Sequence, residues 1–454
     1  MLTHNRNSME LFPSHLRPKT PFIQIPVKHS IICSAFRNLS LVVIVPIMLT
    51  ATTSTAATTS ALGSELGVAE PNKWFSWLEG DPGRLYKNKK NRWLQELVLM
   101  GRFQYQLAYV DGNDVTNRSF SETHDEYRRT RLGAKGKFLQ YFGFKYQVNL
   151  VDDSRNTADG GDLNWGYQDM DEAYISLNLG KLIGADLIDQ LQLSYGRQKF
   201  TFSQEAHTSS TKLLTIERSA ISNKVYQSAR PTGLKLDAVI RDWSFFAALY
   251  SSTTDGEDNQ EFNGWQDDEI FHGHIANQVS ASFKIGLDFT YNVADATRED
   301  SVLSYRWATS LRAVYEAGRW GVIGDLIYGD NGGSGMTGNP NRQGEFWGFV
   351  VMPYYWIVED QLQLVGQYQF ATAEESEGIR VNSRYGRADG TGGAPLGDVN
   401  GGRGDRHDSL YAGLNYYLAG HNAKIQAGIE YQEMDTPSGK FDSLSLLLAF
   451  RAYF

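Results

Sequence analysis

Lysine and arginine recur at every second position in several stretches of this 454-residue chain. Arg129, Arg131, Lys135 and Lys137 alternate with small or apolar residues, and Lys145 follows in the next such stretch. A period of two places alternate side chains on one face of a β-strand. The segment from 197 to 230 adds Arg197, Lys199, Lys212, Arg218, Lys224 and Arg230 against only Glu205 and Glu217. Cations gathered on one surface hold anions, and rings of them line anion and phosphate pores. Arginine adds a planar fork that takes two phosphate oxygens at once, while lysine acts as a point charge.

Sixteen strands are expected to carry these residues, at 97–110, 128–138, 142–150, 170–180, 190–199, 232–241, 243–251, 271–283, 284–292, 303–316, 319–328, 345–357, 361–371, 408–418, 423–432 and 443–454. The split at 283 has no turn residues to mark it. Connections alternate short (139–141, 241–242, 317–318, 358–360, 419–422) and long (111–125, 153–169, 252–269, 329–344, 372–407). Long loops at one end and short turns at the other are the asymmetry of an outer-membrane barrel. The fold expected is all-β: a transmembrane antiparallel β-barrel of 16 strands, with a constriction loop after strand 5.

Composition agrees. Mean hydropathy of −0.40 excludes a helical membrane bundle and suits strands with a polar lumen face. The 57 aromatic residues (24 Tyr, 23 Phe, 10 Trp) suit interfacial girdles. The apolar run Leu41–Leu49 followed by Thr55-Ala56-Ala57 reads as a signal peptide over 1–57, although its leading segment is long for one. A periplasmic lead over 58–92 and the barrel over 93–454 complete the expected organisation. Cys33, the single cysteine, precedes the apolar run, so the mature chain needs no disulfide. The net charge is −9, and about −13 after residues 1–57 are removed, which argues against nucleic acid as a partner.

Parity also turns Arg102, Lys235, Arg306, Arg312, Lys424 and Arg451 inward, against Glu172, Asp237, Glu316 and Glu430, and leaves Arg128 outward. The loops carry acid instead, as in Asp255, Glu257, Asp258 and Glu261. The 197–230 connection differs from other long ones in its apolar Leu213, Leu214, Ile216 and Ile221, which would anchor it inside the barrel. Arg384, Arg387, Arg403 and Arg406 read as solvated loop arginines. Lumenal Tyr174, Tyr411, Tyr417 and Tyr453 are scattered over different strands, which ranks a general or sugar-specific porin below the anion reading as its alternative, with an outer-membrane barrel enzyme ranked below both. His272-Gly273-His274 offers two metal ligands and no third. No catalytic set, cofactor or metal is expected.

The segment Glu126-Tyr127-Arg128-Arg129-Thr130-Arg131-Leu132-Gly133-Ala134-Lys135-Gly136 resembles the second-strand motif of the phosphate-selective porin O and P family. Asp171-Glu172-Ala173-Tyr174-Ile175 resembles its fourth strand. Tyr195–Phe200, Thr208-Ser209-Ser210, Ile216–Ser219 and Arg230–Leu234 are similar to the entry, body and exit of its constriction loop. Leu414–Leu418 resembles a late strand. The resemblance spans roughly 95–454. It implies a homotrimeric channel of the bacterial outer membrane that passes small anions, phosphate or polyphosphate among them. It also implies that Phe454 is the signal read by the barrel-assembly machinery as the protein enters the bilayer.

Overall fold

The computed structural model describes residues 73–151, 165–185, 188–252, 268–294, 301–333, 339–380, 384–386 and 397–454. The proposed signal peptide and residues 58–72 of the lead lie outside these. The first eight strands are β1 (Leu94–Asn113), β2 (Ser119–Phe138), β3 (Phe142–Val151), β4 (Trp165–Asn178), β5 (Gln190–Arg197), β6 (Thr232–Ile240), β7 (Trp243–Ser251) and β8 (Glu269–Ser280). The second eight are β9 (Phe283–Asn292), β10 (Trp307–Ala317), β11 (Trp320–Asp330), β12 (Glu345–Val358), β13 (Leu362–Ala373), β14 (Arg406–Ala419), β15 (Ala423–Thr436) and β16 (Gly439–Tyr453). Each pairs antiparallel with its sequence neighbours. The sheet closes where Tyr453 of β16 faces Arg102 of β1 and Asp442 faces Asn113. Closure leaves no open edge, so every backbone group in the wall finds a partner away from water.

Alternation decides which face meets lipid. Leu107, Leu132, Leu236, Leu311, Leu326, Leu414 and Leu446 are all exposed on the outer face. Exposed aromatics flank this belt, with Trp243, Trp320 and Phe454 towards the short turns and Phe271, Tyr291 and Trp347 towards the long loops. No described helix is long and apolar enough to cross a membrane; the strands supply the crossing.

Three expectations need correction. The long loop at 111–125 is mostly strand: β1 and β2 run to 20 residues each and leave only 114–118 as the turn. There the Asp114 carboxylate accepts from the Thr116 and Arg118 amides, both at 2.9 Å, and so ties off the hairpin. Alternating polar residues on both faces above the membrane hid this extension. The second correction is at 303–306, which is not strand: Leu303 and Tyr305 are wholly buried against the inserted loop described below. Third, the turn between β4 and β5 carries a short helix, α1 (Leu179–Ile183), capped by Asn178. The unmarked split near 283 is a tight turn at Ala281-Ser282.

Phe454 ends the chain at the seam. Its backbone exchanges two hydrogen bonds with Gly101, at 3.0 and 3.1 Å, and its ring covers that glycine. A Cβ at Gly101 would stand 2.0 Å from the ring, so any other residue there pushes the ring off the seam. Below it, a four-residue strand (Arg84–Lys87) takes over pairing with β1 where β16 has run out.

Candidate functional site

The connection between β5 and β6 turns into the barrel. It carries α2 (Gln204–His207) and α3 (Ala220–Tyr226), the latter N-capped by Ser219 and ended by Gln227 in the left-handed conformation. Phe200, Phe202, Ile216, Ile221 and Val225 are at most 1 % exposed and pack on lumenal Ile327, Phe346, Val350 and Ala371. Burying each such side chain stabilises the loop by about 1.5–3 kcal/mol. This explains why the lumen wall of β11–β13 is apolar in places where a water-filled tube would be polar.

Polar anchors fix the loop on two sides. On one, the closing strands reach for its carbonyls. Lys424 donates to Leu213 O (2.6 Å), Asn415 to Leu214 O (2.9 Å), Tyr453 to Thr211 O (2.8 Å) and Arg451 to Ser210 O (3.2 Å) and Ile216 O. On the other, Asp288 accepts from the Ser203 amide (3.2 Å) and Asp325 from the Gln204 amide (2.6 Å). Lys424 and Arg451 do face inward, yet both are fully buried beneath the loop and are anchors rather than pore-lining charges. Tyr411, Tyr417 and Tyr453 are similarly covered.

What remains open is a cavity of about 740 Å³ between the loop and the wall of β1–β6. Ten cations line it: Arg102, Arg128, Arg129, Arg131, Lys145, Arg197, Lys199, Arg218, Arg230 and Lys235. Four carboxylates stand against them, Asp169, Asp171, Glu172 and Asp237, so ten minus four leaves a formal charge of +6. Arg131 (2.6 Å) and Arg230 (2.8 Å) share the single carboxylate of Asp171. Lys145 pairs with Glu172, and Lys235 with Asp237 at 2.8 Å. Others are held by neutral acceptors, which orient a cation without cancelling it. Arg102 donates to Ser210 Oγ (2.9 Å), Arg129 to Gln104 Oε1 (2.9 Å), Arg197 to Met170 O (2.8 Å) and Arg218 to Glu205 O (2.9 Å).

Two loop groups in this cavity titrate near neutrality. Burial pulls the Lys199 ammonium down to about 7. Burial alone would raise the Tyr226 phenol, but Arg230, Lys199 and Arg218 around it bring it down to about 7. Arg230 also donates to the Tyr226 oxygen at 2.9 Å.

Of the eleven cations singled out in the sequence, Arg129, Arg131, Lys145, Arg197, Lys199, Arg218 and Arg230 meet in this cavity. Lys135 and Lys137 are exposed near the short-turn end, where Lys137 lies 3.8 Å from Glu96. Lys212 sits on the loop's other face, near His421. Lys224 lies 4.7 Å from the Phe346 ring centroid and donates to Asn331, away from the cavity.

Strand parity missed Arg128. A bulge sets Arg129 opposite Gln104 and Tyr127 opposite Tyr105, so Arg128 is the extra residue and swings inward to Glu217 at 2.8 Å. One inserted residue shifts the facing of all that precedes it. Glu126 is thereby turned inward and 1 % exposed. Arg384 donates to it with two nitrogens (3.0 and 2.8 Å) and Tyr385 at 2.7 Å, so Arg384 is no solvated loop arginine. Arg387 lies outside the described residues.

In fold, the chain is similar to the outer membrane channel DcaP of Acinetobacter baumannii. The TM-score is 0.50 at 13% identity, over 81% of this chain and 100% of that one. It is similarly close to an anion-selective porin from Comamonas acidovorans, with a TM-score of 0.50 at 11% identity over 79% and 99%. No protein of curated function matches the sequence. The family model for phosphate-selective porin O and P matches residues 98–332, which holds the second-strand motif, the inserted loop and ten of the sixteen strands in full. The chain therefore belongs to the phosphate-selective porin O and P family, and is a closed sixteen-stranded channel of the bacterial outer membrane.

Proposed function

We propose that the protein passes small anions, phosphate among them, through the cavity between the inserted loop and the β1–β6 wall. The observation that carries this reading is the excess of ten cations over four carboxylates at the place where the loop narrows the lumen. A water-filled passage walled by one sign of charge concentrates the opposite ion. The forks of Arg102 and Arg129, each held by a neutral acceptor, suit the oxygens of phosphate.

The test is a competition. Millimolar phosphate is expected to depress chloride current through single channels, and Arg129→Gln to weaken that inhibition. Chloride current indifferent to phosphate would leave a general anion or diffusion porin. The reading extends to a homotrimer, which the resemblance to this family implies, and to Phe454 as the assembly signal. A larger gel band that dissociates on heating tests the first. Slowed assembly of Phe454→Ala tests the second.

A further inference from the structure

From the geometry we infer a second site, for a divalent transition metal, at His207, His274 and Asp288. The His272-Gly273-His274 pair does not act as a unit. His272 is bound to Thr201 O and Phe289 O, at 2.9 and 3.1 Å. His274 instead joins His207 from α2 of the inserted loop, and both place a ring nitrogen on Asp288 of β9. The distances to Asp288 Oδ1 are 2.9 Å from His207 Nε2 and 2.7 Å from His274 Nδ1. All three donor atoms lie within 4.8 Å of one another, on three different elements.

Two imidazoles and a carboxylate are a donor set for zinc and its neighbours in the first transition row. Zinc bonds of about 2.0–2.2 Å need donors somewhat further apart than a hydrogen bond sets them. A small turn of the His207 ring supplies the difference, and that ring borders the cavity. Neutral imidazole needs only to move its proton to the other ring nitrogen to free the lone pair. The surroundings hold the set in place: the Ser203 amide donates to Asp288 Oδ2, and the Phe246 ring packs 5.0 Å from His274 and 6.2 Å from His207. Metal entry is from the cavity, through His207.

Arg312 works against the ion. Its guanidinium lies 3.6 Å from Asp288 Oδ2 and 3.2 Å from both ring nitrogens of His274. It neutralises part of the carboxylate and must yield when the metal binds. The site is therefore a reversible one. Bound metal would fasten the inserted loop to the β8–β9 wall through ligands from both.

Zn²⁺ titration of the tag-free protein in detergent, against a chromophoric zinc chelator, tests this. One Zn²⁺ per chain is expected, weakened at least about tenfold by His207→Gln and by His274→Gln, a ligand loss being no milder than a lost supporting contact. His207 is in the loop, so its substitution leaves the barrel intact, as heat-modifiable gel mobility would verify. Arg312→Gln is expected to tighten binding severalfold. Absence of saturable binding, an affinity unchanged from the unmodified protein in either histidine variant, or weaker binding in Arg312→Gln would overturn the assignment.

Discussion

Replacing Arg102 by glutamate asks whether the cation-rich cavity is the conducting path. Arg102 projects from β1 and touches the inserted loop only through Ser210 Oγ and its neighbours, so the loop's main anchors survive the change. The formal charge of the lining falls from +6 to +4. With a volume of 740 Å³ the cavity is roughly 9 Å across, so an anion on its midline passes about 6 Å from this side chain. Two unit charges at about 6 Å in water interact by roughly 0.7 kcal/mol. Reversing the sign doubles that to about 1.4 kcal/mol, or about tenfold in anion occupancy. The assay is the zero-current potential across a planar bilayer in a KCl gradient. At about 0.01 M salt the screening length is near 30 Å and most of the effect is expected, whereas at about 1 M the length shrinks to about 3 Å and the effect fades. An unchanged permeability ratio at low salt would refute the reasoning, as would a change that ignores ionic strength.

Arg451→Gln removes the anchor of Ile216 O and one of the two donors to Ser210 O, which keeps Gln104; the orphaned Ile216 carbonyl costs about 1–3 kcal/mol, so larger and noisier single-channel currents are expected. Gly101→Val displaces the Phe454 ring from the seam, and a lower yield of heat-modifiable barrel after refolding checks this. Leu414→Lys puts a charge on the exposed outer face and is expected to cost about 2–4 kcal/mol in a lipid-vesicle unfolding titration. Lys199 is charged below about pH 7 and neutral above it, while Tyr226 is neutral below about pH 7 and negative above it. Both changes remove positive charge as pH rises, so anion preference is expected to fall between pH 6 and 8. The double variant Lys199→Gln, Tyr226→Phe should flatten that dependence.

Strands of period two were legible because the bilayer forces it: one face meets lipid, and Leu107, Leu132 and Leu446 announce that face whatever the pore carries. The inserted loop was legible for a related reason. Ile216 and Ile221 have no place in a loop left in water. What parity could not show was which inward cations see the pore. Arg451 and Arg102 read alike on their strands, yet one lies under the loop and the other beside it, and only the loop's path separates them. Arg128 was hidden by a bulge that no turn residue marks. His207 and Asp288 are 81 residues apart and meet only because the loop folds back on β9.

The most direct measurement is the zero-current potential of the unmodified protein in a KCl gradient. A potential set by chloride is the expected result. One set by potassium would contradict an anion path through this cavity.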